Sequence, residues 1–309
     1  MRDLSGVERA ERLAREAGRA QAVDRPVLVV NGQAVEWSAL RGHLAEAAGG
    51  AVVEEVVLDV LLSAEMERRG LRLTPEALER EGERLMQALS PAEGSSRDDL
   101  LERVRRSRGL GPERLNALVV RSARLRALVG KDFAASKAEV ELGVQLRYGL
   151  AYRCRLLTAA DDRTAARIRA GLVERAGGED RPVDVSWFAS EAVRSSTHPT
   201  GEVGGLVPRL SPVDPAYPAA IRQAVERLAP GRISPVIPIE GGAALVMVEE
   251  RLQPRSEPDE SARSRIEREI VEGKQRAAME ALAEELLAGA RVTVFDESVR
   301  WAWEGRRRE

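Results

Sequence analysis

The sequence predicts an α+β chain: a mostly helical N-terminal part, an inserted domain of a small antiparallel sheet and helices, and a C-terminal helix returning to the first part. Three observations predict it. Apolar residues recur at helical spacing as far as Tyr148. At Ala151 the texture changes to short alternating runs interrupted by Gly and Pro. Beyond the linker Gln253-Pro254-Arg255-Ser256-Glu257-Pro258-Asp259-Glu260 a long amphipathic pattern begins, and a helix of that kind must bury its apolar face on something already folded.

Element by element, residues 1–25 are charged and Ala/Arg-rich, with only Leu4, Val7 and Leu13 spaced as apolar positions, and read as an arm. Val27 to Val30 ends at Asn31-Gly32, the strongest short hairpin signal, with Ala34 and Val35 on the return. Trp37, Leu40, Leu44 and Ala47 predict one helix and Val53, Val56, Val57, Val60, Leu61 and Ala64 a second, with Gly49-Gly50 as the turn between them. Thr74 caps a third helix with Pro75 in its first turn, Ser96 a fourth ending near Gly109, and Leu115, Leu118, Val119 and Leu125 mark a fifth. A sixth opens with the capping box Ser136-Lys137-Ala138-Glu139. Tyr152 to Thr158 predicts a strand. The final helix carries Ile266, Ile270, Ala277, Met279, Leu282 and Leu286 and stops at Gly289; Val292-Thr293-Val294 is then expected as a strand that pairs with Val27. The domains expected are an arm at 1–25, a helical module at 26–148, an inserted α+β domain at 149–253, and a helix and strand at 254–309 packing back on the helical module.

Composition narrows the function. The chain has 309 residues, 43% hydrophobic and 32% charged, enough for two domains of ordinary size in a soluble globular protein. Its 48 basic and 50 acidic residues nearly cancel and are spread along helical faces, so nucleic acid is not an expected partner. One cysteine, Cys154, excludes an internal disulfide. With only His43 and His198 beside it, no metal site is expected, and no phosphate-binding loop or other cofactor motif is present. No run approaches the roughly 18 apolar residues of a membrane span, and the N-terminus lacks the apolar core of a signal peptide. The compartment is not legible from these residues.

The strongest motif runs from Gly201 to Arg251: Gly204-Gly205, then a helix ending in Leu228-Ala229-Pro230-Gly231, then Ile233-Ser234-Pro235-Val236, then a strand after Gly242. In this order and spacing it resembles the C-terminal half of a parvulin, a domain of FKBP-like fold that isomerises X-Pro bonds. The Val30-Asn31-Gly32 run and the helix after it are similar to the opening of the SurA- and PrsA-type chaperones of bacterial cell envelopes, in which a helical module surrounds a parvulin domain.

The resemblance implies an apolar cup for the proline ring, with Tyr217, Ile221 and Glu226 standing where the family has a Met and two Phe, and Leu206 completing it. It puts His198 where the family has a Cys or Asp. A cup and a polar group suffice in principle, because isomerisation needs only that the twisted amide, about 18 to 20 kcal/mol above the planar one, be bound better. The family's two central histidines are replaced here by Leu156 and Ala244. An apolar pair can replace a hydrogen-bonded polar pair without loss of stability, so the departure preserves the fold and weakens the inference to catalysis.

Plainer structural roles stand beside each of these. His198 before Pro199 fits a solvated turn, Tyr217 a loop anchor, and Cys154 a small core residue. Trp37, Trp301 and Trp303 fit either a groove for unfolded peptide or the docking of a terminal element. Three functions follow: a folding factor that binds unfolded or proline-containing polypeptide with isomerase activity weak or lost; an active isomerase with a variant site; or a non-catalytic assembly protein. A homo-oligomer is left open. By resemblance the compartment would be the cell envelope or periplasm.

Overall fold

The computed structural model describes residues 26–89, 102, 103 and 105–306. The arm expected at 1–25 and the Ser96 cap lie outside the described residues. The chain divides into two compact units, one from the described residues of Met1–Lys131 and Gln275–Glu309, the other Asp132–Lys274.

The first unit opens with the expected hairpin. Strands β1 (Pro26–Val30) and β2 (Gln33–Glu36) pair antiparallel with Val30 opposite Gln33. Asn31 and Gly32 both take positive φ, 50° and 87°, as a two-residue turn matched to strand twist requires. Helix α1 follows as one continuous rod, Trp37–Arg68, correcting the two helices expected on either side of Gly49-Gly50. These glycines are helical and buried, and what they supply is thinness. A Cβ on Gly50 would stand 2.6 Å from the Ala302 carbonyl oxygen and one on Gly49 3.4 Å from the Ala302 Cβ. They seat the C-terminal helix α9 (Glu297–Arg306) against α1, with Gly42 meeting Ser298 one end along.

Helix α2 (Pro75–Leu89) begins where Thr74 accepts the Ala77 N–H, and α3 (Pro112–Val129) carries Pro112 in its first turn. Leu58, Leu62 and Met66 of α1 form the core of this unit with Leu125 and Leu128 of α3 and with Met279 in the second half of α8 (Glu260–Ala288). Two bidentate pairs tie α3 to α1 and to α2. Arg121 holds Asp59 at 2.8 and 2.9 Å, and Arg126 holds Glu81 at 2.6 and 3.0 Å.

A second correction concerns residues 292–294, which form no strand and pair with neither β1 nor β2. The Val294 carbonyl, which a ladder would have used, instead accepts two N–H groups of Arg300 at 3.2 and 3.0 Å. Asp296 caps the helix that follows by accepting the Val299 N–H.

The second unit begins with α4 (Lys137–Tyr148), where both arms of the Ser136/Glu139 capping box are made. The first half of α8 lies on it, with Ile266 2% exposed where Gly143 leaves room. The sheet has order β4-β3-β6-β5, from β3 (Ala151–Ala159), β4 (Leu206–Leu210), β5 (Ile237–Ile239) and β6 (Gly242–Leu252), every pair antiparallel. Helices α5 (Asp162–Ala176) and α6 (Val185–Ser195) cover one face; α7 (Ala219–Arg227) covers the other.

Alternation along β3 and β6 sorts the core. Cys154, Leu156, Ala244, Val246 and Val248 point toward Ile221 and Val225 of α7, whereas Leu157, Ala159, Ala243, Leu245 and Met247 point toward Phe188, Ala192 and Leu172. Gly204 and Gly205 take positive φ, 67° and 74°, and a Cβ on Gly205 would stand 2.5 Å from the Leu156 carbonyl oxygen. The double glycine therefore serves a close backbone approach, in which the Leu156 N–H donates to the Gly205 carbonyl at 2.8 Å.

Candidate functional site

The positions singled out from the sequence fall into three groups. Leu156 lies opposite Val246 and Thr158 opposite Ala244, so Leu156 and Ala244 are diagonal neighbours on one face. They are 2% and 0% exposed, and they share a cluster with Cys154, Ile221 and Val225, none more than 2% exposed. Ile221, one of the four expected cup positions, is part of this filled core. The Cys154 thiol is pushed up to about 12 by burial, with Glu249 adding to it, which leaves an unreactive side chain.

Tyr217 is half-buried at the margin of this cluster. Its loop is well tied: Asp214 accepts the Ala216 and Tyr217 N–H groups, and Arg222 reaches back to the Tyr217 and Pro212 carbonyls at 3.0 and 3.1 Å. Burial pushes the phenol above its usual range.

His198 belongs to a different network, a polar edge built around a 3-10 turn at Pro199–Val203. Its Nδ1 lies 2.8 Å from the Thr200 hydroxyl and accepts the Thr200 N–H at 3.2 Å, so that nitrogen is engaged in capping its own turn. Ser196 Oγ accepts the N–H groups of His198 and Thr158, both at 3.2 Å. The hydroxyls of Thr158 and Thr197 lie 2.8 Å apart. Thr158 is 7% exposed and directly opposite Ala244, so a hydroxyl pair borders the cluster where the histidines were sought. Sequence reasoning passed over it, although a Thr at an inward position of an apolar strand is the signal that could have found it.

Two expected positions are not brought to the cluster. Leu206 pairs with Arg155, and it is Val207, opposite Cys154, that enters the core; Leu206 faces the other side of β4. Glu226 is exposed on α7, whose inward positions are Ile221 and Val225. A carboxylate next to the buried Val225 turns outward because nothing inside would pair with it.

The helical unit presents a surface of another kind. Among the described residues, eleven of the fifteen exposed large hydrophobic side chains are in it, including Val29, Trp37, Leu44, Val56, Val60 and Trp301. Trp301, 68% exposed, borders a groove of about 500 Å³ where α9 crosses α1, walled by Ala47, Ala48 and Ala51. Trp303 is half-buried in a smaller cavity with Val57 and Leu287. One tryptophan docks the element while the other is left on the surface.

No protein-family model and no curated protein matches the chain. Solved structures similar to it include a peptidylprolyl isomerase, PrsA, of Bacillus cereus, at 16% identity over 92% of this chain and 98% of that one, with a TM-score of 0.34. A SurA-like chaperone of Campylobacter jejuni is 14% identical over 88% of this chain and 100% of the other, with a TM-score of 0.31. A PpiC-type peptidyl-prolyl cis-trans isomerase domain covers 37% of this chain and 98% of its own length at 19% identity and a TM-score of 0.29. No residue role is carried over from these structures.

Proposed function

We propose that this chain is a folding factor that holds unfolded polypeptide on its helical unit, and that its α+β unit has weak or no X-Pro isomerase activity. The observation that carries the first part is the concentration of exposed apolar side chains on a unit that has its own buried core. Exposed apolar side chains concentrated on one folded unit support a binding surface there. Trp301 beside a groove walled by alanines gives an unfolded segment an aromatic face and space for a side chain.

The second part rests on the packing of Leu156, Ala244 and Ile221. A twisted prolyl amide needs an open apolar recess with a polar group facing it; these residues occupy the recess themselves, and His198 Nδ1 is committed to Thr200. Among the described residues no helix is long and apolar enough to cross a membrane. By resemblance we assign the chain to the cell envelope, which fractionation of the source cells would check.

The test is a pair of assays on the intact protein. Suppression of aggregation of a chemically unfolded client, without acceleration of a proline-limited refolding reaction, is expected. Clear acceleration that is lost on Tyr217→Ala would instead establish a variant active site. Failure in both assays would leave the chain an assembly protein.

A further inference from the structure

Helices α5 and α6 carry a groove of about 650 Å³ on the side of the α+β unit away from Leu156 and Ala244. Its floor is Ile168 and Leu172, and Trp187 forms part of one wall. The Arg175 guanidinium carbon lies 4.2 Å from the centre of the Trp187 ring. Arg194 is paired with Glu191, but among the described residues neither Arg167 nor Arg175 has a carboxylate within ion-pair distance. Asp184, whose charge Arg175 feels, is occupied in capping α6, accepting the Ser186 N–H at 2.7 Å. The groove therefore holds two exposed arginines without an ion-pair partner, Arg175 within the field of Asp184, beside an apolar floor.

Gly171 is the second observation. It sits inside α5, where glycine is the poorest residue after proline, and its φ is not one that demands glycine. A Cβ there would meet nothing within 4 Å, so no packing within the fold requires its absence. Gly171 lines the groove between Ile168 and Leu172. The exposed Gly171 leaves the groove floor open at that point.

We propose that this groove binds an extended acidic segment of a partner polypeptide, two carboxylates four residues apart reaching Arg167 and Arg175 and an apolar side chain between them resting over Gly171. The spacing fits. Eight residues of helix separate the two arginines by about 12 Å of rise. Positions i and i+4 of an extended chain share a face about 13 Å apart, with i+2 on the same face midway. The site is distinct from the client-holding surface of the helical unit and does not depend on it.

The test is fluorescence anisotropy with the intact protein and a labelled ten-residue peptide carrying two glutamates four apart and a leucine midway. Saturable binding is expected, about tenfold weaker for the double variant R167E/R175E and for a peptide with glutamines in place of the glutamates. Gly171→Gln separates ligand from fold. It should raise the melting temperature, because glutamine is a far better helix former, and yet weaken the peptide about tenfold by filling the floor. Binding unchanged in R167E/R175E or in Gly171→Gln overturns the proposal. So does single-stranded RNA or an anionic vesicle that binds the wild type more tightly than the peptide and loses that binding in R167E/R175E.

Discussion

The two units of this chain expose their large apolar side chains to different extents: among the described residues eleven exposed ones lie in the helical unit and four, including Val193 and Val203, in the α+β unit. The α+β unit buries two clusters of apolar side chains on either face of one sheet, down to Leu156, Ala244 and Phe188 at 2% exposure or less. The helical unit buries a compact set around Leu62 and leaves Val29, Val56, Val60 and Trp301 more than half exposed. The difference supports the client-holding surface proposed for the helices and the weak or absent isomerase activity proposed for the α+β unit.

The strongest way to break that contrast is to reopen the cleft. Leu156→His with Ala244→His puts two imidazoles into a filled cluster, and we expect a loss of about 3 kcal/mol or more in denaturant unfolding, with no isomerase activity gained. Retained stability together with acceleration of proline-limited refolding would mean that the recess survives. Next in size is the α1–α9 contact. Gly50→Leu drives a side chain toward the Ala302 carbonyl and should cost about 1 to 3 kcal/mol. Gly82 in α2, where a Cβ meets nothing, is the control: Gly82→Ala should stabilise by up to about 1 kcal/mol. Equal effects at the two glycines would contradict the close approach assigned to Gly50.

Much of this contrast was legible in the sequence where local chemistry decides. Asn31-Gly32, Thr74-Pro75 and Ser136/Glu139 each specify their turn or cap through bonds made within a few residues, and each is found as expected. The failures turn on contacts the local pattern does not announce, one of them long-range and one only six residues along the chain. Gly49-Gly50 reads as a turn unless one knows that Ala302 comes to rest against it, and Val292 to Val294 reads as a strand until Arg300 takes its carbonyl. In the candidate site, the apolar character of Leu156 and Ala244 was visible in the sequence. That Glu226 turns outward and Leu206 lies across the sheet depended on helix and strand register, which a one-residue shift inverts.

A smaller effect sharpens the helical side. Val56→Gln with Val60→Gln changes only exposed positions of α1, so stability should stay within about 0.5 kcal/mol while aggregation suppression falls. Loss of stability without loss of holding would show that these valines pack rather than bind.

The smallest effect concerns acid, and it reports on the α+β unit alone. Glu139 is held at about 2, first by Lys274, whose Nζ donates at 2.7 Å, and then by the Ser136 N–H and hydroxyl. In the unfolded chain a glutamate titrates near 4.3, roughly. The folded value is the lower one, so the carboxylate's contribution is complete above the unfolded value and is lost as pH falls toward about 2. Glu139→Gln should therefore lower the melting temperature slightly at neutral pH, and the gap between the two proteins should close in acid. Lys274 and Glu139 are each partly exposed, so added salt should narrow the gap at neutral pH as well. A gap that persists unchanged in acid would assign the effect to the hydrogen-bonding shape of the cap and not to its charge.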